Sequence, residues 1–298
     1  MTPNTALTPQ QRTIQAFTGQ INGNYVQTQL KQVLGQNAGT FATSIVEVFT
    51  NDKQLQQCDT KKVVQEAIKA ATFKLPLNKQ LGYAYIITFK NYNKETRQTE
   101  PTPTLVIGYK GYIQLAMRTA QYRNINTDVV YEGELRKVDK LTGEIRLDGE
   151  RTSNRVVGFF AHFELVNGFS KTLYMSLTDM ASYALTYAPV FRVKDKPTID
   201  QLCDIAQQQA ENGPEPGTVG WKGDFCSMAQ KTVLRRLLSK YGYLSIEMMH
   251  ALAEDEPATD NSVARDEALA DEKPVFQPKE QVIEAEAVEV EETPEAPI

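Results

Sequence analysis

Leu105-Val106-Ile107-Gly108-Tyr109-Lys110-Gly111-Tyr112-Ile113-Gln114-Leu115-Ala116-Met117-Arg118 changes its hydrophobic period partway along. Leu105–Ile107 is an unbroken apolar run of strand type, whereas Tyr112, Ile113, Ala116, Met117 and Ala120 recur at helical spacing and mark one face. A strand therefore runs straight into a helix. On the N-terminal side, Tyr83, Tyr85, Ile87 and Phe89 alternate with Ala84, Ile86 and Thr88, which predicts a strand with its aromatic face in the core. The intervening Asn91–Thr104 is polar and holds two prolines, so it reads as a long loop. On the C-terminal side, Thr127–Tyr131 returns to strand propensity.

Further out, two hairpins are expected: Leu135–Leu147, turning near Thr142-Gly143, and Val156–Met175, turning at Asn167-Gly168. Ser176 and Asp179 have capping spacing and open a helix to about Tyr187; others are predicted over Ile199–Glu211, Lys222–Tyr241 and Ile246–Ala253. Before the strands, Asp59 caps a helix whose apolar face is Val63, Val64, Ala67, Ile68 and Ala71 and which stops near Lys74-Leu75-Pro76. The fold class is α+β: a helical N-terminal region, a central antiparallel β-meander interrupted by a helix, then C-terminal helices, without the βαβ rhythm of a nucleotide-binding sheet.

The 298 residues are 41% hydrophobic and 23% charged, with ordinary Gly 17 and Pro 14, which excludes collagen-like and wholly disordered chains. The net charge of -5 hides a split. Residues 251–298 hold 15 acidic against three basic residues, a net of -12, leaving 29 basic and 22 acidic, a net of +7, on the first 250. A positive body points to a polyanionic partner. The division expected is a core over 1–253 and, over 254–298, an acidic disordered tail that solvates or docks another protein. Cys58, Cys203 and Cys226 lie in no ligand spacing, and Met1-Thr2-Pro3-Asn4-Thr5-Ala6 opens no targeting segment, so a reducing cytoplasm fits.

Little in the chain points to bond-breaking chemistry. No phosphate-binding Gly-rich loop ending in Gly-Lys-Ser/Thr occurs, and His162 and His250 read as structural. Glu132-Gly133-Glu134 and Asp148-Gly149-Glu150 are the one carboxylate pairing that could hold a divalent ion, and the alternative reading, a metal-dependent nuclease acting on DNA, rests on them. No cofactor or resident metal is expected.

Cations and aromatics interleave in three places. Lys74 and Lys79 follow Phe73; Tyr109, Lys110 and Tyr112 lead a helix carrying Arg118, with Arg123 beyond it; Trp221 and Lys222 lead the helix carrying Lys231, Arg235 and Arg236. Lys and Arg neutralise phosphates, and aromatic faces stack on unpaired bases regardless of sequence. On the last helix Lys231 and Arg235 share one stripe beside the apolar Phe225, Ala229 and Val233, and Arg236 falls nearer the core, where a structural hydrogen bond is expected. The alternative for each cluster is a solvated charged face over core tyrosines.

Three blocks give the chain a family resemblance. They are Ala70-Ala71-Thr72-Phe73-Lys74-Leu75-Pro76-Leu77-Asn78 with Leu81–Phe89; Ile107–Arg118 with Val130-Tyr131-Glu132; and Trp221 with Asp224-Phe225-Cys226-Ser227-Met228-Ala229-Gln230-Lys231-Thr232-Val233-Leu234-Arg235-Arg236-Leu237. In order and separation these resemble the RecT family of phage single-strand DNA annealing recombinases, over roughly Thr60 to Ser245. The chain departs at Phe73-Lys74, where the family commonly has Leu-Gly, and at Thr88, where proline is common. The resemblance implies ATP-independent binding of single-stranded DNA and annealing through a duplex intermediate, with assembly into homo-oligomeric rings or helical filaments. It also implies a fold similar to the core of the eukaryotic single-strand annealing mediator, with a 5′-to-3′ exonuclease and a host single-strand-binding protein as partners and no membrane.

Overall fold

The computed structural model describes residues 8–254 apart from 94–96, 140, 192–195, 217 and 219; the tail expected over 254–298 lies outside them except for its first residue. Four helices come first: α1 (Pro9–Ile21), α2 (Asn24–Leu34), α3 (Ala38–Asn51) and α4 (Thr60–Thr72). Thr8 and Gln11 cap α1 reciprocally, each side chain accepting the other's backbone N–H, at 3.3 Å and 2.8 Å. Phe17 of α1 stacks on Phe49 of α3 at 3.9 Å between ring centroids, and both are fully buried.

As the sequence predicts, α4 opens on Asp59, which accepts the Lys61 N–H at 2.9 Å, and buries Val63, Val64, Ala67 and Ala71. Its end is a Schellman cap. The Lys74 N–H reaches the Ala71 carbonyl at 2.8 Å and the Leu75 N–H reaches that of Ala70 at 3.1 Å, which puts Lys74 in the left-handed region at φ 53°. Glycine adopts that conformation at no steric cost; a lysine there must be held.

Most of the described residues in 91–104, the span expected to be a loop, are strand instead. Strand β1 (Ala84–Asn93) and strand β2 (Gln98–Ile107) pair antiparallel over ten positions, from Ala84↔Ile107 to Asn93↔Gln98. Pro101 and Pro103 sit inside β2 because they share the parity of Leu105, whose N–H leaves the ladder and donates to the Glu66 carboxylate of α4 at 2.8 Å. All three therefore point their backbone nitrogens away from β1, where proline's missing donor costs the ladder nothing. The buried face of β1 is also the opposite of the one predicted. Ala84 and Ile86 are buried with Leu105 and Ile107, while Tyr85 and Ile87 are half-buried and Phe89 is 41% exposed. Both parities of this strand are apolar, so alternation alone does not choose between them.

After α5 (Tyr109–Arg118) come β3 (Tyr122–Tyr131), the short pair β4 (Lys137–Val138) and β5 (Ile145–Arg146), and then β6 (Val156–Leu165) and β7 (Ser170–Ser176). Strands β3, β6 and β7 form one antiparallel sheet in the order β3-β6-β7, with the expected hairpin turning at Asn167-Gly168. The outer edge of β3 is closed by side chains: the N–H groups of Thr127, Val129 and Tyr131 donate to Asn126, Asp128 and Glu134 at 2.9, 2.8 and 2.7 Å.

The C-terminal helices are α6 (Leu177–Tyr187), α7 (Ile199–Asn212), the single turn α8 (Gly220–Gly223), α9 (Phe225–Tyr241) and α10 (Ile246–Glu254). The predicted Lys222–Tyr241 helix is thus broken at Asp224, whose carboxylate caps α9 by accepting the Ser227 N–H at 3.0 Å. Phe225, Ala229 and Val233 are fully buried, and Phe225 meets Phe159 of β6 at 6.1 Å. Each such phenylalanine contributes about 2–3 kcal/mol by leaving water. The whole is α+β with antiparallel pairing, and no helix among the described residues is long and apolar enough to cross a membrane.

Candidate nucleic-acid interface

The Gly108-Tyr109-Lys110-Gly111 turn is built by close approach of backbones. The Gly108 N–H donates to the Tyr83 carbonyl at 3.0 Å. A side chain at Gly108 would run into the Gly82 carbonyl oxygen, and one at Gly111 would run into the Tyr83 carbonyl oxygen and lie 2.8 Å from Ile107 Cγ2. The two glycines seat the start of α5 against the entry to β1. Between them, Tyr109 is half-buried against the core and Lys110 is exposed.

Tyr85 and Tyr109 meet there as a half-buried pair. Burial first, then the Asp224 carboxylate and Tyr109, raise the Tyr85 hydroxyl above its ordinary pKa; burial, then Asp128 and Asp224, do the same for Tyr109. Both hydroxyls stay protonated at neutral pH and remain donors. The two carboxylates are held in place, Asp128 also accepting from Gln230 Nε2 at 3.3 Å. Lys110 is exposed, with Nζ 6.0 Å from the Tyr109 ring centroid and its stem over Gly82. Tyr85, which the sequence assigns to the core, is thus part of this surface.

The other candidate residues divide by what already holds them. Lys74 is exposed and neighbours Arg118 and Glu247. Arg118 is a clamp: its Nη1 donates to the Phe73 carbonyl at 2.7 Å and its Nη2 to that of Lys74 at 2.8 Å, across the end of α4. Lys79 pairs with Asp52 at 2.9 Å, and Arg123 with Glu164 at 2.6 Å. Burial pushes the Asp52 carboxyl up, but the Lys79 ammonium and the Leu55 and Gln54 amides outweigh it and hold the pKa below the usual value.

Tyr112 is 0% and Trp221 7% exposed, and Trp221 packs edge-on against Phe225 at 5.1 Å, so neither ring offers a face to a base.

Lys222 is exposed on an open groove of about 1090 Å³ that Phe191, Lys196, Gln208 and Gln209 also line. Gln209 fixes this corner, donating to the Lys222 carbonyl at 2.7 Å and accepting the Phe225 N–H at 2.6 Å. Lys196 and these glutamines carry no sequence signal of their own. On α9, Lys231 and Arg235 are half-buried, and Arg235 Nη2 donates to the Leu252 carbonyl at 3.2 Å. Arg236 is half-buried as expected, and its guanidinium lies over the Tyr183 ring at 5.4 Å.

Two carboxylates of the nuclease alternative, Glu132 and Glu134, make hydrogen bonds within the fold. Glu134 closes the β3 edge, Glu132 accepts from Ser153 Oγ at 2.8 Å, and the Gly149 N–H donates to the Glu134 carbonyl at 2.9 Å. Among the described residues no three His, Cys, Asp or Glu side chains come together to hold a metal ion. His162 takes the structural place expected of it, with Nδ1 2.8 Å from Thr172 Oγ1 and its pKa lowered by burial.

Taken together, fold and surface define an α+β protein with exposed lysines beside half-buried aromatic rings. The chain belongs to the RecT family, whose model matches residues 39–272. It is similar to the protein YqaK of Bacillus subtilis (strain 168), 36% identical over 255 residues that cover 85% of this chain and 77% of YqaK. It is also similar to Protein RecT of Escherichia coli (strain K12), 28% identical over 209 residues covering 68% of this chain and 65% of that protein.

Proposed function

We propose that the protein binds single-stranded DNA and anneals complementary strands without ATP, in homologous recombination. The observation that carries this reading is the extent of the family match: residues 39–272 take in all three basic and aromatic segments, from Lys74 to Arg236. An annealing protein should grip sugar and phosphate and leave base edges free, because the incoming strand must be tested by Watson–Crick pairing. Lys74, Lys110 and Lys222, exposed and close to aromatic or glutamine side chains, suit that grip, with Lys231 as a further contact. Tyr109 and Tyr85 would limit base motion by stacking or by donating to a phosphate oxygen.

Stacking in the product supplies about 1–2 kcal/mol per step, so no hydrolysis is required. Arg118, Arg123 and Lys79 already have protein partners and would reach DNA only by exchanging them. In this reading the chain works as a homo-oligomer, ring or helical filament, in the cytoplasm. It acts beside a 5′-to-3′ exonuclease and a host single-strand-binding protein, with residues 254–298 as the docking segment. No cofactor is needed.

The binding half of the proposal is tested by fluorescence anisotropy of a labelled oligothymidine across a salt series. Affinity is expected to fall with log[salt] at a slope of about -0.7 per phosphate contact, and Lys110→Ala and Lys222→Ala each to remove about one contact from it. A slope and affinity unchanged in both variants would take these two lysines out of the interface.

A further inference from the structure

Helix α10 offers acceptors to cations at both of its ends. In its first turn the exposed Glu247 carboxylate neighbours Lys74 and Arg118; hydrogen bonds from its own amide and the Ser245 hydroxyl, and then those two charges, hold its pKa below the ordinary value. In its last turn the Leu252 carbonyl accepts from Arg235 Nη2 at 3.2 Å. That carbonyl is among those at the helix C-terminus that have no partner within the helix and carry the negative end of its dipole. Lys74 and Arg235 are thus engaged by the kind of group that a phosphate would replace. The helix itself is lightly held. Ser245 Oγ caps it by accepting the Met248 N–H at 3.2 Å, and Met248, Ala251 and Leu252 form one narrow buried stripe against α5. Ile246, Met249, His250 and Ala253 are exposed. Its root is fixed, since the Tyr122 hydroxyl donates to the Tyr243 carbonyl at 2.9 Å in the link from α9. An element with so few buried side chains opens at a fraction of the cost of global unfolding.

We infer that α10 is a strap over part of the DNA surface, which a single strand displaces in order to reach Lys74 and Arg235. Lys110 and Lys222 lie exposed and are available for first contact. Displacement of α10 then adds Lys74, and adds Arg235 beside Lys231 on the same stripe of α9. Arg118 stays on the Phe73 and Lys74 carbonyls as the clamp that shapes this corner. Competition of this kind is reciprocal: the factor by which a closed α10 lowers the affinity for DNA is the factor by which bound DNA opens α10. The inference rests on the single-strand-binding reading, which supplies the competing anion.

The test uses the full-length protein, with hydrogen–deuterium exchange of the α10 amides and fluorescence anisotropy of a labelled oligothymidine. Saturating oligothymidine is expected to speed exchange across α10 by about tenfold while α9 stays protected. Met248→Ala loosens the footing of the helix and changes no charge, and it should tighten oligothymidine binding by about fivefold at low salt. Glu247→Gln should tighten it as well, and Met249→Ala, on the exposed side of the helix, should leave it unchanged. Thermal melts check that the body of each variant stays folded, and the exchange experiment on the natural chain decides the matter if Met248→Ala does not fold. Unchanged or slower exchange in α10 on saturation, or binding no tighter in a folded Met248→Ala than in the natural chain, would overturn the strap and leave the annealing reading standing. Binding by Met248→Ala with none by the natural chain would uphold both. No oligothymidine binding by any of the four proteins would sink the annealing reading and the strap with it.

Discussion

Gly111→Ala is expected to lower the unfolding free energy by about 3 kcal/mol or more, or to leave no folded protein at all. The added methyl falls on the Tyr83 carbonyl oxygen, lies 3.1 Å from the Tyr83 carbonyl carbon, and crowds Ile107 Cγ2. A flexible side chain could move aside; the obstacle here is the backbone at the entry to β1, held by the Gly108 N–H on the same carbonyl. Relief would mean lifting α5 away from the hairpin and opening the core around Tyr112 and Leu115. Urea unfolding measures the effect. A midpoint equal to that of the natural protein would show that α5 does not seat against β1 in this way.

Arg118→Met should cost about 1–2 kcal/mol, since it keeps the stem but deletes two charge-assisted hydrogen bonds, one of them exposed to solvent, to carbonyls at the end of α4. One of those carbonyls belongs to Lys74, which occupies the left-handed cap position without being glycine. The arginine therefore holds a conformation that a lysine resists. Lys74→Gly in the Arg118→Met background is expected to return about 1 kcal/mol by removing that resistance. Thermal melts read the stability, and oligothymidine affinity at a temperature where all variants are folded reads the DNA contact. The same affinity with a lower melting point assigns Arg118 to the clamp. An unchanged melting point with weaker binding would instead return its guanidinium to the phosphate-binding surface.

Helix α4 was legible because a cap at Asp59 and a three-and-four spacing from Val63 to Ala71 agree, and α9 because Phe225, Ala229 and Val233 keep the same period. The hairpin turning at Asn167-Gly168 was legible from its turn chemistry. The strand β2 was not, because Pro101 and Pro103 act as breakers unless one knows that their nitrogens face outward, and that depends on a partner strand and on Glu66, 39 residues before Leu105. Which face of β1 is buried escaped for a different reason: Tyr85 and Ile86 are both apolar, and the choice belongs to the layer beneath.

The candidate site was legible as residue types in segments and not as individual contacts. Neighbouring residues on a helix point about 100° apart, so a lysine beside an aromatic says that one of them faces the core without saying which. Tyr109 is half-buried against the core beside an exposed Lys110, whereas Trp221 is buried beside an exposed Lys222. The bonds that tie Arg118 to Phe73 and Arg123 to Glu164 join residues more than 40 positions apart. Such pairings follow from the assembled fold and leave no local trace.

The measurement that bears most directly on the central claim follows duplex formation between two complementary fluorescent oligonucleotides mixed with the full-length protein, without ATP, with and without magnesium. Annealing faster than the protein-free control, with both strands recovered at full length, is the result expected. Annealing no faster than the control, or strands shortened when magnesium is present, would contradict it.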